Sequence, residues 1–177
     1  MIITFCGNSQ IWGECVMEKV RMKLYEVIEE LRQRGTNTFY LGGYGRFDSL
    51  AAVAVRQSKK KHPHIESVFI TPYLNTSRPT ELYDTVIYPP LEKVPLRYAI
   101  SKRNQWMIRQ SDVVVAYVDY TWGNSYQMLT YAIKKGKEII DINKKTPELH
   151  IRSFYGSKLL FSNKGEQKKS IKSISSP

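Results

Sequence analysis

Histidine and cysteine are scarce in this chain of 177 residues, with three of the first and two of the second. His62 and His64 flank Pro63, His150 is remote, and no Cys/His cluster has ligand spacing, so no metal site is expected. Cys6 and Cys15 are too few for a disulfide framework. They fit a reducing compartment, and each reads as an ordinary thiol rather than a nucleophile. No apolar run is long enough to span a bilayer, and no basic-then-apolar leader precedes the opening Ile2-Ile3-Thr4-Phe5-Cys6. The expectation is a cytoplasmic protein without membrane contact. Acidic residues are also few, 16 against 27 Lys and Arg, for a net charge of +11. The segment from Lys144 to Pro177 carries +6 of this and residues 1–143 carry +5. That Ser/Lys-rich segment reads as a solvated, partly disordered tail, or as a weak non-specific attraction for nucleic acid or another polyanion. The length suits one domain rather than two. We expect a domain over residues 1–146 and a basic C-terminal extension over residues 147–177.

What is present is an alternation of periods. Five apolar runs read as strands: Ile2–Cys6, Thr38–Leu41, Ser67–Thr71, Asp112–Val118 and Glu138–Ile142. The fourth is almost continuously apolar and β-branched, the pattern of a strand buried on both faces in a parallel sheet. Val16, Val20, Leu24, Val27 and Leu31 step at helical spacing up to Gly35. A second helix is predicted from Asp48 as N-cap to Lys59-Lys60-Lys61. A third follows Pro95, and a fourth runs from about Ser125 to Lys135. The tract from Pro72 to Pro95 has no clear period and reads as a long irregular excursion, of the kind that is usually functional. There is no internal repeat. The expected fold is α/β: a Rossmann-like, open, mostly parallel sheet of at least five strands with helices on both faces.

In such a sheet ligands bind beyond the C-terminal ends of the strands, where strand order reverses. Gly7, Asn8 and Ser9 follow the first strand. The second is followed by Gly42, Gly43, Tyr44, Gly45, Arg46 and Asp48, a strand–glycine turn–helix order that brings bare amides to the positive end of a helix. The spacing is Gly-Gly-x-Gly, not the six-residue dinucleotide fingerprint. Pro72 and Tyr73 follow the third strand, and Trp122, Gly123, Asn124 and Ser125 lie past the fourth. Together they point to a nucleotide-like ligand, with helix starts for phosphate and Tyr44, Tyr73 or Trp122 for base stacking. Arg103, with Asn104 beside it, shares a helical stripe with Leu96, Ile100 and Met107. An inward arginine needs an anion or carbonyls. Two readings stand open: a structural ion pair with Asp48 or Asp112, or a cleft-facing charge for a phosphate or ribose. Glu81, Asp84 and Glu92 read as solvated.

These motifs, Phe5–Ser9, Leu41–Ala52, Tyr98–Val118, Trp122–Ser125 and Tyr131–Ile142, resemble in order and spacing the superfamily that joins DNA-processing protein A to the cytokinin-activating Lonely Guy proteins. Within it the likeness is greatest to small stand-alone bacterial and phage members. The resemblance implies a Rossmann-like fold, a cleft for nucleotides or derivatives such as ADP-ribose-type signals, and a homo-oligomer with shared clefts. It implies a basic balance suited to DNA in one branch. In the other it implies N-glycosidic cleavage, with an arginine at the place of Arg103 and a Pro-Gly-Gly-x-Gly-Thr-x-x-Glu turn. Here that turn reads Thr121-Trp122-Gly123-Asn124-Ser125-Tyr126-Gln127-Met128, without the glutamate. A neutral amide such as Gln127 serves neither as general base nor as a stabiliser of an oxocarbenium charge. The expectation is a binding protein, a sensor or sequestering protein for an ADP-ribose, NAD or cyclic-nucleotide type of ligand, with no required cofactor. The alternatives are a nucleoside 5′-monophosphate phosphoribohydrolase and a DNA-binding protein.

Overall fold

The computed structural model describes residues 1–143 apart from residues 76 and 78. The 146/147 boundary and the basic tail therefore lie outside the described residues.

Six strands form one parallel sheet: β1 (Ile2–Gly7), β2 (Thr38–Leu41), β3 (Glu66–Ile70), β4 (Thr85–Ile87), β5 (Val113–Tyr117) and β6 (Glu138–Asp141). They lie in the order β4-β3-β2-β1-β5-β6, every pairing parallel. The expected open α/β sheet is thus found, parallel throughout. Four helices connect it: α1 (Glu14–Gln33), α2 (Arg46–Lys61), α3 (Ala99–Gln110) and α4 (Gly123–Lys134). The chain moves outward from β1 to β4, then α3 carries it back across to β5 on the other side of β1. Strand order reverses between β1 and β5, so a crevice opens there.

Side-chain period explains the two layers. Val113, Val115 and Tyr117 of β5 join Ile3, Phe5, Phe39 and Leu41 in a core shared with Leu24, Ile28 and Leu31 of α1 and Ala51, Ala54 and Val55 of α2. The alternate residues Val114 and Ala116 pack with Ile108, Met128, Leu129 and Ala132 of α3 and α4. Period two along the strand sends neighbours to opposite faces, and period 3.6 gives each helix one apolar stripe. Removing a side chain such as Leu24 to alanine costs about 2–5 kcal/mol.

Three expectations are corrected. The tract from Pro72 to Pro95 contains a 3₁₀ turn, Thr80–Leu82, and the edge strand β4. Asp84 fixes that strand, accepting from the Ser67 amide (2.8 Å) and hydroxyl (2.7 Å) and pairing with Lys59. Second, α2 begins at Arg46 with Gly45 as N-cap, so Asp48 is the third helical residue. From there its carboxylate reaches back to accept the Tyr44 N–H at 2.9 Å, a variant of the capping box. Third, Leu96 lies in a 3₁₀ turn, Leu96–Tyr98, and is 76% exposed, so it is not on the inward stripe of α3. Ala99, Arg103 and Met107 make that stripe.

Candidate functional site

The crevice between the ends of β1, β2 and β5 is a cleft of about 500 Å³, within the range of small-molecule sites. Three turns form its mouth: Gly7–Gln10 after β1, Gly42–Gly45 after β2, and the segment from Tyr120 to Ser125 after β5. It deepens between α3 and α4, where Ile100, Met107, Ile108 and Met128 line it with Thr4, Phe5 and Cys6 of β1. The polar groups of this floor are already bonded, Thr4 Oγ1 donating to the Tyr40 carbonyl (3.4 Å) and Cys6 Sγ to the Ser125 carbonyl (3.3 Å). Burial, and then the nearby Asp48 charge, pushes the Cys6 thiol up to about 12. It stays protonated at neutral pH and is no nucleophile.

The turn after β2 is tightly built. A Cβ on Gly42 would stand 2.8 Å from both Arg103 Nη1 and Asp48 Oδ2. Gly45 has φ +106°, and a Cβ there would stand 2.9 Å from the Ser9 Cα. The Arg46 amide, first of α2, donates to the Ser9 carbonyl at 2.9 Å, and the Tyr44 amide goes to Asp48. A phosphate at this helix start would have to displace a carbonyl and face a carboxylate. The turn after β5 differs. No side chain caps α4, Trp122 is its N-cap residue, and a Cβ on Gly123 would meet nothing within 4 Å. The exposed rings of Tyr120 and Trp122 lie 5.2 Å apart beside it. Ser125 Oγ donates to the Gly7 carbonyl at 2.7 Å and joins this turn to the first.

Arg103 answers both readings of its stripe at once. It is 1% exposed, yet it lines the cleft. Its Nη1 donates to the carbonyls of Gly42 (2.5 Å) and Ile70 (2.7 Å), at the ends of β2 and β3. The Tyr44 ring covers the guanidinium at 5.2 Å. Burial pulls its pKa down and the Asp48 charge opposes the fall; a guanidinium remains protonated regardless. Its Nε is buried without a hydrogen-bond partner. Asp48 is the carboxylate beside it, whereas Asp112 is exposed and accepts the Ile2 N–H at 2.8 Å.

Of the residues expected at the site, Gly7, Asn8, Ser9, Gly42, Tyr44, Gly45, Asp48, Arg103, Asn104, Trp122, Gly123, Asn124 and Ser125 line the cleft. Four do not. Gly43 packs on the Phe69 ring, Arg46 points to solvent, Pro72 is buried, and Tyr73 supports Tyr44 edge-on at 6.4 Å. Gln10 and Tyr120, in the same strand-end turns, line it too, and the apolar floor was not expected from the sequence. Met107 shares a stripe with Arg103, which was the available signal, but apolar helix stripes ordinarily mean core. Gln127 of α4 is exposed and outside the cleft. Among the described residues no group of His, Cys, Asp and Glu could hold a metal ion, and no helix is long and apolar enough to cross a membrane.

The chain is 30% identical to the uncharacterized SPbeta prophage-derived protein YoqJ of Bacillus subtilis, covering 67% of this chain and 82% of that protein. The chain belongs to its family. No family profile matches the chain. Among solved structures it resembles the molybdenum cofactor binding protein of Rippkaea orientalis, with TM-score 0.59 and 18% identity over 92% of this chain and 88% of that one. It also resembles DNA processing protein A of Helicobacter pylori, with TM-score 0.54 and 18% identity over 80% of this chain and 64% of that one. The two solved structures share the fold of this chain.

Proposed function

We propose that the protein binds a nucleotide-derived ligand, of the ADP-ribose, NAD or cyclic-nucleotide type, as a sensor or sequestering protein. The observation that carries this reading is the composition of the cleft. Its uncapped helix start at Gly123–Ser125 offers amides to a phosphate, its exposed Tyr120–Trp122 pair offers a face to a base, and its floor is apolar. A fold neighbour named for binding a cofactor supports a binding role in this architecture. Calorimetric titration of the full chain with ADP-ribose, cyclic ADP-ribose isomers, NAD and AMP tests it. Saturable heat from at least one is the expected outcome, and silence from all at millimolar concentration rejects the reading.

A second reading, phosphoribohydrolase, is favoured by one feature, the carboxylate–guanidinium pair of Asp48 and Arg103 in the cleft wall. Against it, α4 carries no carboxylate facing the cleft, and Asp48 is engaged by the Tyr44 amide. Incubation with AMP and chromatography for free adenine decides; adenine release abolished by Asp48→Asn would establish the enzyme. DNA binding, suggested by the second fold neighbour and the net charge of +11, predicts an affinity that falls steeply with salt.

A further inference from the structure

The cleft wall carries two charged side chains among the described residues, Arg103 and Asp48. Arg103 is turned into the protein. Two strand-end carbonyls take its Nη1, and Tyr44 covers its face. Asp48 is the partly exposed member of the pair, in the first turn of α2. Its charge is felt across the floor, where it adds to the rise of the Cys6 thiol.

An ionised carboxylate only accepts hydrogen bonds. The Tyr44 N–H occupies one position on Oδ2. A ligand group brought against Asp48 must therefore present donors and must not be anionic, since two like charges at contact repel strongly in a partly buried site. This disqualifies the glycine turn at 42–45 as the seat of a phosphate, whatever its sequence suggests. Among the uncharged groups of a nucleotide, the ribose presents two neighbouring hydroxyls, which match the two oxygens of a carboxylate. Carboxylates at strand ends serve ribose hydroxyls in dinucleotide-binding folds, from a different position in the chain.

Resting on the nucleotide reading above, we propose that Asp48 receives the ribose 2′,3′-diol of the ligand, with the phosphate turned away from the Gly42–Gly45 turn. Asp48 then decides between ribose and deoxyribose, and Arg103 is a positioning residue that holds Gly42 and Asp48 in place.

The experiment compares AMP with 2′,3′-dideoxy-AMP on the full chain by calorimetry, in the wild type and in Asp48→Asn. AMP should bind the wild type at least tenfold more tightly than the dideoxy analogue. In Asp48→Asn the two should bind alike, with the analogue's affinity unchanged and the circular-dichroism melt cooperative. If the asparagine variant does not fold, Asp48→Ser, which removes the charge with a smaller polar side chain, takes its place. Equal affinity for the two ligands in the wild type overturns the proposal alone, as does a preference for AMP that survives the substitution. No binding of AMP at millimolar concentration also overturns it, whereas the binding reading falls only if ADP-ribose and NAD are silent too.

Discussion

The two glycine turns that line the cleft share a grammar and differ in their surroundings. Around Gly42 and Gly45 there is no room: Arg103, Asp48 and the Ser9 backbone stand within 2.9 Å of where side chains would begin. Around Gly123 there is only space, and its glycine is explained by a φ of +84° alone. The first turn is a joint. It ties the end of β2 to β3 through Arg103, to the turn after β1 through Ser9, and to its own helix through Asp48. The second is a surface that keeps its amides and aromatic rings available. A glycine-rich turn ahead of a helix can thus be required by packing or by a ligand, and the neighbours distinguish the two cases.

Substitutions can press on that distinction. The largest effect should come from Arg103→Met, which strands two buried carbonyls and the Asp48 charge. Breaking such a buried set costs about 3–5 kcal/mol, read as a lower urea midpoint. Next comes the glycine pair. Gly42→Ala should lose about 1–3 kcal/mol by forcing apart Arg103 and Asp48. Gly123→Ala should lose only about 1–2 kcal/mol, from backbone strain, while weakening the binding of any phosphate-bearing ligand. If Gly123→Ala proves the more destabilising of the two, the contrast between joint and surface is wrong. The smallest effect concerns the scaffold behind the first turn. Burial alone would raise the Asp84 carboxyl, but hydrogen bonds from Lys59 and from the Ser67 amide and hydroxyl outweigh it and bring it from 3.8 to about 2. A carboxylate lowered on folding adds stability that is complete above its unfolded value and lost as the pH falls toward the folded one. The loss therefore falls between pH 3.8 and about 2. For an anchor this exposed it is worth about 1 kcal/mol or less. An acid titration of Asp84→Asn should lack this component.

Much of the architecture was legible because burial imposes periods. β5 reads as buried on both faces and lies inside the sheet between β1 and β6, and the stripe begun at Val16 faces the core from Val20 to Leu31, Val16 itself being exposed. β4 was not legible, since three residues with at most partial burial leave no period, and its place depends on Asp84 reaching back 17 residues to Ser67 of β3. Leu96 misled because apolar spacing continued past the real start of α3. At the cleft, the strand-end residues could be found from topology alone. What could not be found was which amides are already taken: nothing in Gly-Gly-Tyr-Gly indicates that the first amide of the next helix donates to the Ser9 carbonyl. The Arg103 partnership with carbonyls was likewise a tertiary fact, although its inward placement was a matter of spacing.

One small contact has a mechanical consequence. The Asn143 side chain donates to the Val118 carbonyl at 3.2 Å and to Asp119 Oδ1 at 2.6 Å, and Asn8 donates to the other oxygen of the same carboxylate at 3.2 Å. Asp119 thus acts as a coupling pin between the end of β1, the exit from β6 and the turn that carries Tyr120 and Trp122. Asn143, just past β6, thus helps to hold the turn that carries the aromatic rim, and Asn143→Ala is expected to loosen the cleft mouth without touching any residue that lines it.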